Sequence, residues 1–420
     1  MSKLQELIDK LCPNGVEFKP LGEVCEIKTG KGITKNDATG GGNYPIISGG
    51  QTPMGYYHEY NRGPKTVTIS RVGAYAGFVS FIEEPFYLND KCFSIIPIND
   101  FQTLINSRFL FHHLKNKEET IKNLQSEGGV PTINTKKVGS IMIPIPPIEV
   151  QEEIVRILDS FSDYAAELQA ELQARKQQYE YYRNLLLTFN PSAYGCGTDD
   201  EQKDGVTTWG GHNYKIQWKK LHELGSFYSG LSGKTKSDFS DGNETFISYM
   251  NVFSNISINV DVEDTVKISP NEKQNTIEYG DAIFTGSSET PDECGMSSVL
   301  TTRTNKKLYL NSFCFGYRLN SIDTFNPNFL KHLLRAKPIR NQIAKTANGV
   351  TRFNVSKKRF ANIVIPIPPL ELQEKIVAIL DRFETLVNDL TNGLPAEIAA
   401  VKDQYEYYRN KLLTFKKLTA

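Results

Sequence analysis

IPIPPIEVQEEIVRILDSF at residues 143–161 returns as IPIPPLELQEKIVAILDRF at residues 365–383 of the 420-residue chain. A second motif, QQYEYYRNLLLTF at 177–189, returns as DQYEYYRNKLLTF at 403–415. Matches of this length do not arise by chance and show an internal duplication. Outward from them, FLFHHL (109–114) aligns with FLKHLL (329–334), and GGVPTIN (128–134) aligns with NGVTRFN (348–354). The chain therefore consists of two related halves.

Each half is predicted to hold a mixed domain followed by a helix. Short β-like runs such as TVTISRV (66–72) alternate with Gly-rich turns, and a helical segment comes after them. This texture favours an α/β (α+β) domain led by a twisted sheet. The predicted order is domain 1–145, helix 146–190, linker 191–215, domain 216–367 and helix 368–420. The linker is rich in Gly and Asp and lacks apolar periodicity, which is typical of an exposed connection.

Apolar residues in both helical regions recur at steps of three and four, which indicates a heptad seam with one inserted four-residue step in the first region and one more in the second. Two helices of this kind in one chain are expected to pack against each other. Gly393 and Pro395 should kink or break the second one, and the I-P-I-P-P run before each helix should be extended and solvated. The predicted coiled-coil and partner positions are Ile154, Ile157, Phe161, Leu168, Leu172, Tyr179, Tyr182, Leu186, Ile376, Phe383, Leu390, Ile398, Tyr405, Tyr408 and Leu412.

The first helix contains the tetrapeptide AELQ twice, at 166–169 and 170–173. These residues are good helix formers, so the repetition needs no special role. Alternatively, each copy adds about one turn, roughly 6 Å, and sets the length of the helix. The tyrosines of each Y-E-Y-Y run span more than one side of a helix, so some should lie in the core and others should face outward.

The chain has no net charge, but the charge is unevenly distributed. The two helical regions, 148–189 and 371–415, carry −4 and −3, the linker region 190–213 carries −3, and the remainder carries +10. Cations near mobile Gly loops suit phosphate contacts, and Asn or Arg suits base edges. The candidate DNA-binding residues are Lys28, Lys31, Lys35, Arg71, Lys91, Lys136, Lys137, Lys234, Lys236, Arg303, Arg352, Asn354, Lys357 and Lys358.

Signs of catalysis by this chain are weak. GLSGKT (230–235) lacks the first glycine of a P-loop, because Tyr228 stands in its place. No adenine-methyltransferase N-P-P-[FY] run is present. The six cysteines form no C-x-x-C pair, and His112 with His113 is a poor two-ligand pair on a helix, so we predict no catalytic residues and no metal site. Without a signal-peptide or transmembrane pattern, we expect a cytoplasmic protein and no membrane partner.

The twofold I-P-I-P-P-x-E-x-Q-E-x-I-V-x-I-L-D, each followed by Q-Y-E-Y-Y-R-N-x-L-L-T-F, resembles the specificity subunit of type I restriction–modification systems. The resemblance spans essentially the whole chain. It implies two target recognition domains, each reading one half of a split double-stranded DNA site, and an antiparallel coiled coil that sets the spacer. The AELQ pair lies where members of this family vary the number of tetrapeptide copies.

The same resemblance implies partners and cofactors held elsewhere. Two modification subunits would carry S-adenosylmethionine and methylate adenine, and two restriction subunits would use ATP and Mg²⁺, leaving no cofactor in this chain. Two alternatives stay open. The chain could be a non-catalytic coiled-coil scaffold that binds only proteins, or the recognition part of a related methyltransferase–nuclease. A scaffold that binds only proteins would show no salt-dependent DNA binding, whereas a specificity subunit would. Binding of S-adenosylmethionine by the isolated chain would favour the methyltransferase–nuclease.

Overall fold

The computed structural model describes residues 3–38, 41–126, 129–189, 205–389 and 393–418. The chain divides into two compact units, Met1–Ala170 with Ala396–Ala420, and Glu171–Pro395. Each unit therefore combines one mixed domain with parts of both helical regions. Most of the predicted linker lies outside the described residues, as does Leu390. No helix in the described ranges combines the length and the apolar character that spanning a membrane requires.

Among its described residues, the N-terminal half begins with a short helix, continues through nine strands with short helices between them, and ends in one long helix. Its elements are α1 (Lys3–Leu11), β1 (Glu17–Pro20), α2 (Leu21–Val24), β2 (Cys25–Thr29), β3 (Tyr44–Ile47), β4 (Tyr56–Tyr57), β5 (Thr66–Ser70), β6 (Val79–Ile82), β7 (Tyr87–Leu88), β8 (Cys92–Pro97), α3 (Ser107–Asn116), α4 (Glu118–Lys122), α5 (Thr135–Gly139), β9 (Met142–Ile145) and α6 (Ile148–Leu186).

The C-terminal half repeats this order with additional strands. Its elements are β10 (Gly205–Trp209), β11 (His212–Lys220), α7 (Leu221–Leu224), β12 (Gly225–Ser229), β13 (Glu244–Ile247), α8 (Tyr249–Ser254), β14 (Thr265–Val266), β15 (Thr276–Ile277), β16 (Ala282–Thr285), β17 (Ser287–Ser288), β18 (Ser297–Val299), β19 (Leu308–Leu310), β20 (Cys314–Leu319), α9 (Pro327–Arg335), α10 (Lys337–Ala344), β21 (Ala347–Asn348), β22 (Phe353–Val355), α11 (Lys357–Phe360), β23 (Val364–Ile367), α12 (Leu370–Asn388) and α13 (Leu394–Leu412).

Equivalent antiparallel sheets lead the two mixed domains. The strand order is β2-β8-β5-β6 in the first and β12-β20-β16-β18 in the second. Beside each lies a smaller sheet built around one parallel pair, β3 with β7 and β13 with β19. Side chains of β5 and β16 are buried throughout. Helix α3 packs against β5 and β6, while α8 packs against β16 and β18 and α9 against β18. The predicted mixed α/β domains and internal repeat are confirmed.

The I-P-I-P-P runs are extended as predicted, but the prediction that they are solvated is wrong. Their isoleucines form β9 and β23, which pair with β1 and β11 where each domain begins. Ile143 and Ile365 are buried. Both β9 and β23 are edge strands, which tolerate a proline because the missing N–H can face away from the partner strand. Each run therefore ties the end of a domain to its start.

The long helices form antiparallel pairs within each unit. In the first unit, Phe161 of α6 stacks on Tyr408 of α13 with ring centroids 5.3 Å apart. Tyr164 donates a hydrogen bond of 2.6 Å to Glu397. From Phe161 to Tyr164 on α6 the contacts therefore move from Tyr408 back to Glu397 on α13, so the two helices are antiparallel. In the second unit, the later part of α6 contacts α12, where Tyr182 stacks on Phe383 at 5.4 Å. The predicted antiparallel coiled coil is confirmed.

The second helical region is interrupted where Gly393 and Pro395 predicted a kink or break. Helix α12 ends at Asn388 and α13 begins at Leu394. A Cβ on Gly393 would lie 2.6 Å from the carbonyl oxygen of Thr385 and 2.7 Å from that of Asp389. The chain can pass this close to the end of α12 only because residue 393 lacks a side chain.

Most predicted seam positions are buried or half-buried. The buried ones are Ile154, Leu168, Leu172, Tyr179, Ile376 and Ile398, and the half-buried ones are Ile157, Phe161, Tyr182, Leu186, Phe383, Tyr405 and Leu412. Tyr408 is 38% exposed. The periodic pattern missed Leu158, Leu187 and Leu413, which are also buried. Leu158 and Leu413 are buried because they pack against Leu4 of helix α1, a contact that the periodic pattern of the long helices does not include.

Candidate nucleic-acid interface and stem contacts

Three predicted DNA-binding residues of the first unit meet at one edge of its main sheet. The register pairs Thr29 with Phe93, and Ser70 with Cys92. Strands β2 and β5 therefore end at the edge where β8 begins. Lys31 follows β2, Arg71 follows β5 and Lys91 precedes β8, and the Arg71 N–H donates to the Lys91 carbonyl at 2.9 Å. The antiparallel topology thus gathers cations that lie 60 residues apart in the sequence.

The Arg71 side chain is held at this edge. Its Nη1 donates to the carbonyl of Asp90 at 3.1 Å, and its guanidinium lies 5.6 Å from the centre of the Phe93 ring. The backbone of Ile133 donates to the Arg71 carbonyl at 2.8 Å, so the segment before α5 lies alongside. A guanidinium fixed by its backbone and by an aromatic face is oriented for a bidentate contact.

The equivalent edge of the second unit gathers Arg352, Asn354 and Lys357. The register pairs Thr285 at the end of β16 with Cys314, and Ser287 with Asn354. Arg352 donates two hydrogen bonds to the Ser287 hydroxyl, at 3.2 and 3.0 Å, and lies 5.6 Å from the centre of the Phe313 ring. Both units therefore place an arginine against an aromatic ring at the same sheet edge.

The other candidate cations are more scattered. Lys28 is exposed and ion-paired with Glu26 at 2.6 Å. Lys35 and Lys236 lie on short 3₁₀ helices, and Lys136, Lys137 and Lys358 are exposed on α5 and α11. These short helices follow the segments that line each sheet edge.

Two candidates do not fit this interface. The Lys234 side chain is only 9% exposed, and its ammonium contacts Glu272 and the Lys267 carbonyl, both at 2.6 Å. It supports a loop and offers no free charge to a phosphate. Arg303 lies over the ring of Tyr279 at 4.2 Å, beside the opposite end of the sheet where Ala282 pairs with Val299. The structure therefore does not bring Lys234 or Arg303 to the sheet edge that holds Arg352.

A buried histidine joins each mixed domain to both helical regions. In the first unit, Nε2 of His112 lies 2.8 Å from Asp159 and its Nδ1 lies 3.3 Å from the Tyr405 hydroxyl. Burial lowers the pKa of His112 although the hydrogen bond to Asp159 opposes that effect. The ring is therefore neutral, with Nε2–H donating to the carboxylate and Nδ1 accepting from the tyrosine.

His332 repeats this arrangement in the second unit with the roles of the helices exchanged. Its Nε2 lies 2.8 Å from Asp381, and its Nδ1 lies 3.0 Å from the Tyr179 hydroxyl. Burial also lowers the pKa of His332. Each histidine thus contacts the aspartate of its own repeat and the tyrosine of the other repeat. This reciprocal contact fixes the position of each mixed domain on the helices that it packs against.

A buried glutamine makes a second repeated contact. Gln373 accepts from the Asn326 N–H at 2.8 Å and donates to the carbonyls of Thr324 and Pro368, at 3.1 and 2.8 Å. Gln151 makes the same three kinds of bond with Asn106, Leu104 and Pro146. Each amide therefore satisfies backbone groups before two helices, α3 and α6 in the first half and α9 and α12 in the second.

Two outward-facing aromatic triads have the same geometry. In the first unit, Tyr408 stacks on Phe161 at 5.3 Å and meets Tyr407 edge-on at 5.3 Å. In the second unit, Tyr182 stacks on Phe383 at 5.4 Å and meets Tyr181 edge-on at 5.4 Å. Tyr407 is 60% and Tyr181 63% exposed. We call these the Tyr407 triad and the Tyr181 triad; a cleft of about 540 Å³ lies at the first. Some tyrosines do face outward, as predicted.

One acidic cluster resembles a metal site. Ligand atoms of His332, Asp381 and Glu384 lie within 4.8 Å of one another. However, the Lys331 ammonium contacts Asp381 at 3.0 Å and Glu384 at 2.7 Å. A resident cation already compensates the two carboxylates, which favours an ion-pair network over a metal centre. The absence of a metal in this chain stays a prediction.

Sequence reasoning missed the two histidines and the two glutamines, although the sequence contained a signal for them. His112 aligns with His332 in the FLFHHL and FLKHLL pair, and Gln151 aligns with Gln373 in the long motif. A polar residue repeated in the middle of an apolar motif indicates a buried polar contact. The identity of its partners, however, depends on which helices pack together.

The comparisons with known proteins agree with these features. Residues 13–175 and 215–400 match the type I restriction modification DNA specificity domain, and the two matches together span most of the chain. The chain therefore belongs to the family of type I restriction–modification DNA specificity proteins.

Relatives and solved structures align along nearly all of the chain. It is 27% identical to the specificity subunit of the type I restriction enzymes EcoR124I/EcoR124II of Escherichia coli, over 99% of this chain and 98% of that protein. It is 28% identical to a protein of Haemophilus influenzae described as a type I restriction enzyme specificity subunit, over 99% and 100%.

Two solved structures share the fold. The S subunit of a type I restriction–modification system from M. genitalium has a TM-score of 0.53 at 15% identity, over 95% of this chain and 96% of that one. A structure from a study of complex assembly and conformational transition of the type I system has a TM-score of 0.57 at 19% identity, over 96% and 98%.

Proposed function

We propose that each mixed domain reads one half of a bipartite DNA site through its cationic sheet edge. The observation that carries this proposal is the pair of equivalent edges, one around Arg71 and the other around Arg352. The edges share their position in the fold but differ in nearly every side chain. That difference is expected if each domain recognises its own bases.

Arginine substitutions test this proposal with a matched control in the same domain. Arg352→Gln should weaken recognition of one half-site, because an oriented guanidinium at the edge is lost. Arg303→Gln should have little effect, although Arg303 is also an exposed arginine over an aromatic ring. Binding of target DNA by the assembled methyltransferase complex is measured at several salt concentrations. Equal effects of the two changes would refute the proposed edge, and salt-independent binding would favour a scaffold.

The proposed split between the domains has its own test. Replacement of residues 216–364 by the corresponding domain of another family member should change one half-site and leave the other unchanged. Methylation mapping by long-read sequencing detects both half-sites at once. A change in both half-sites contradicts the two-module organisation.

We also propose that the two aromatic triads dock two modification subunits, which carry S-adenosylmethionine and methylate adenine. Identical geometry in the two triads supports two copies of one partner, because one kind of surface can engage both. Exposed tyrosines are common at the energetic centre of interfaces. The restriction subunits, with ATP and Mg²⁺, would complete the assembly, and this chain would supply no catalytic residue.

Native mass spectrometry tests the docking proposal. Tyr181→Ser and Tyr407→Ser should each leave one modification subunit bound, and the double variant should leave none. Tyr56→Ser is the matched control, because Tyr56 is a tyrosine of similar exposure within the first mixed domain. Two bound modification subunits in the double variant would exclude the triads as docking sites.

The tetrapeptide pair is proposed to set the spacer between the half-sites. Each copy places one buried leucine, Leu168 or Leu172, in α6, while the remaining residues of the pair are exposed. Deleting one copy shortens the helix by about 6 Å and rotates its C-terminal part by about 40°. The spacer length should then change while both half-sites stay the same. Altered half-sites would contradict this role.

A further inference from the structure

The tip of the β21–β22 hairpin presents an apolar side chain at the cationic edge of the second unit. Val350 is 91% exposed, which is a high value for a branched apolar residue. It lies in the loop between Asn348 and Phe353, which the register places next to Ser287. Folding does not bury this side chain, so it is available for contact with another molecule.

The base of this hairpin is fixed. Arg352 is held by Ser287, and Arg359 donates to Asn348 and to the carbonyls of Lys345 and Thr346. Gly349 has a φ of +145°, and a Cβ there would lie 2.0 Å from the Arg352 carbonyl oxygen. The loop is therefore a defined turn that requires glycine, and it presents Val350 from a rigid support.

The charge around the tip indicates what it contacts. Residues 345–359 include five Lys or Arg residues and no Asp or Glu. Such a segment is attracted to a polyanion, and an apolar tip within it suits a groove between two phosphate backbones. An apolar side chain in a groove contacts base edges, including the methyl group of thymine.

The first unit carries a related tip. Ser126 pairs with Thr132 and Ile133 with Arg71, as Asn348 pairs with Asn354 and Val355 with Gly286. The structural repeat is therefore 222 residues here, so the alignment of GGVPTIN with NGVTRFN is shifted by two residues. Val130 in this first loop is 63% exposed. The structural repeat therefore does not align Val130 with Val350, although each valine lies close in sequence to backbone bonds at the cationic edge of its own unit.

We propose that Val350, and Val130 in the first unit, are apolar DNA contacts that enter a groove beside the cationic edges. The contact deepens the DNA-reading function proposed above and rests on it. Lys358 and Arg352 then hold phosphate or base acceptors, while the valine tips exclude water between the hairpin and the base edges. Because the valines carry no charge, their loss should weaken binding without changing its salt dependence.

The experiment uses the full chain assembled with its modification subunits and measures binding to the target duplex by fluorescence anisotropy. Val350→Thr keeps the shape and β-branching but replaces a methyl group with a hydroxyl. Because the position is exposed, folding is unaffected. We expect about tenfold weaker binding, since a methyl contact is lost and a hydroxyl is desolvated. The slope of log Kd against log salt should not change. Val130→Thr should behave in the same way.

Two further variants make the result interpretable. Val206→Thr alters a valine of β10 that is 68% exposed and should leave binding unchanged. Lys358→Gln should reduce the salt slope by about one, as the loss of one phosphate contact does. Wild-type affinity of Val350→Thr, or an altered salt slope, overturns the inference. Loss of modification subunits from Val350→Thr, seen by native mass spectrometry, also overturns it and assigns the tip to a protein contact.

These outcomes separate this inference from the DNA-reading proposal. If Arg352→Gln and Lys358→Gln weaken binding while Val350→Thr does not, the cationic edge stands and the valine contact fails. If none of the three changes alters binding, the edge itself is refuted.

Discussion

Tyr179 and Tyr405 occupy the same position in the repeated Q-Y-E-Y-Y-R-N motif but have different surroundings. Tyr179 is buried and bonds Nδ1 of His332 at 3.0 Å. Tyr405 is half-buried, and its hydroxyl lies 3.3 Å from Nδ1 of His112. Replacing either tyrosine with phenylalanine removes one hydroxyl and keeps the ring over which Arg183 or Arg409 lies. The pair of variants therefore removes the same hydroxyl from two environments.

The two substitutions should have unequal effects. In Tyr179→Phe, a fully buried acceptor on His332 loses its donor, which costs about 2 kcal/mol. In Tyr405→Phe, the bond that is lost is longer, at 3.3 Å, and water can reach the half-buried position, so the cost should stay below about 0.5 kcal/mol. The atoms removed are the same, so the difference arises from the burial of each tyrosine and from the greater length of the bond to His112.

Hydrogen exchange measured by mass spectrometry on the assembled complex resolves the two sites. Amides of α9 should exchange about 30-fold faster in Tyr179→Phe, and amides of α3 about twofold faster in Tyr405→Phe. Each variant should leave the helix of the other unit unchanged, which serves as the internal control. The reasoning would fail if the two helices were destabilised equally or if α3 responded more strongly.

Three other changes should affect stability. Burial lowers the pKa of His113 to about 4 from its ordinary 6.5, so the unfolded chain binds the proton more tightly than the folded chain does. Stability should therefore fall as the pH drops below 6.5, by up to about 3 kcal/mol from this group once the pH is below 4. Denaturation midpoints measured against pH would show no such fall if the ring were protonated in the folded protein. Gln373→Leu should destabilise the start of α9 by about 2 kcal/mol, because the Asn326 N–H and the carbonyls of Thr324 and Pro368 lose their partner. A cost below about 1 kcal/mol in hydrogen exchange would mean that water replaces the amide. Gly393→Ala should lower the melting temperature, since the new Cβ meets two carbonyl oxygens, and an unchanged melting temperature would show that the turn can relax.

Much of this architecture could be predicted because duplication compares the chain with itself. The two long motifs gave the repeat, the helices and the break near Gly393. The main sheet edges could not be derived, because Lys31, Arg71 and Lys91 meet only through strand pairing across long loops. Register is a tertiary property, and for the same reason the loops around Val130 and Val350 were aligned two residues out of step.

Individual charges were the least predictable feature. Lys234 sits in a Gly-rich, Ser-rich loop that reads as a phosphate-binding loop, yet Glu272, far along the sequence, neutralises its ammonium. Arg303 and Arg352 look alike in sequence and both stack on rings, but the fold places them at opposite ends of one sheet. Composition indicates how many cations a domain has, and only the fold shows which of them face the same way.

The reciprocal histidine contact has a consequence for how such proteins diversify. His112 and His332 both bind an aspartate and a tyrosine. A mixed domain moved from one position to the other would therefore meet the same carboxylate and hydroxyl. New specificities can then arise by recombination, without simultaneous changes in the helices. The interchange is not entirely free: Lys331, moved to the first position, would exchange the carboxylate of Glu384 for the hydroxyl of Ser162. The shared histidine contact allows the two domains to be exchanged, whereas the Lys331–Glu384 ion pair can form only when the second domain keeps its own position.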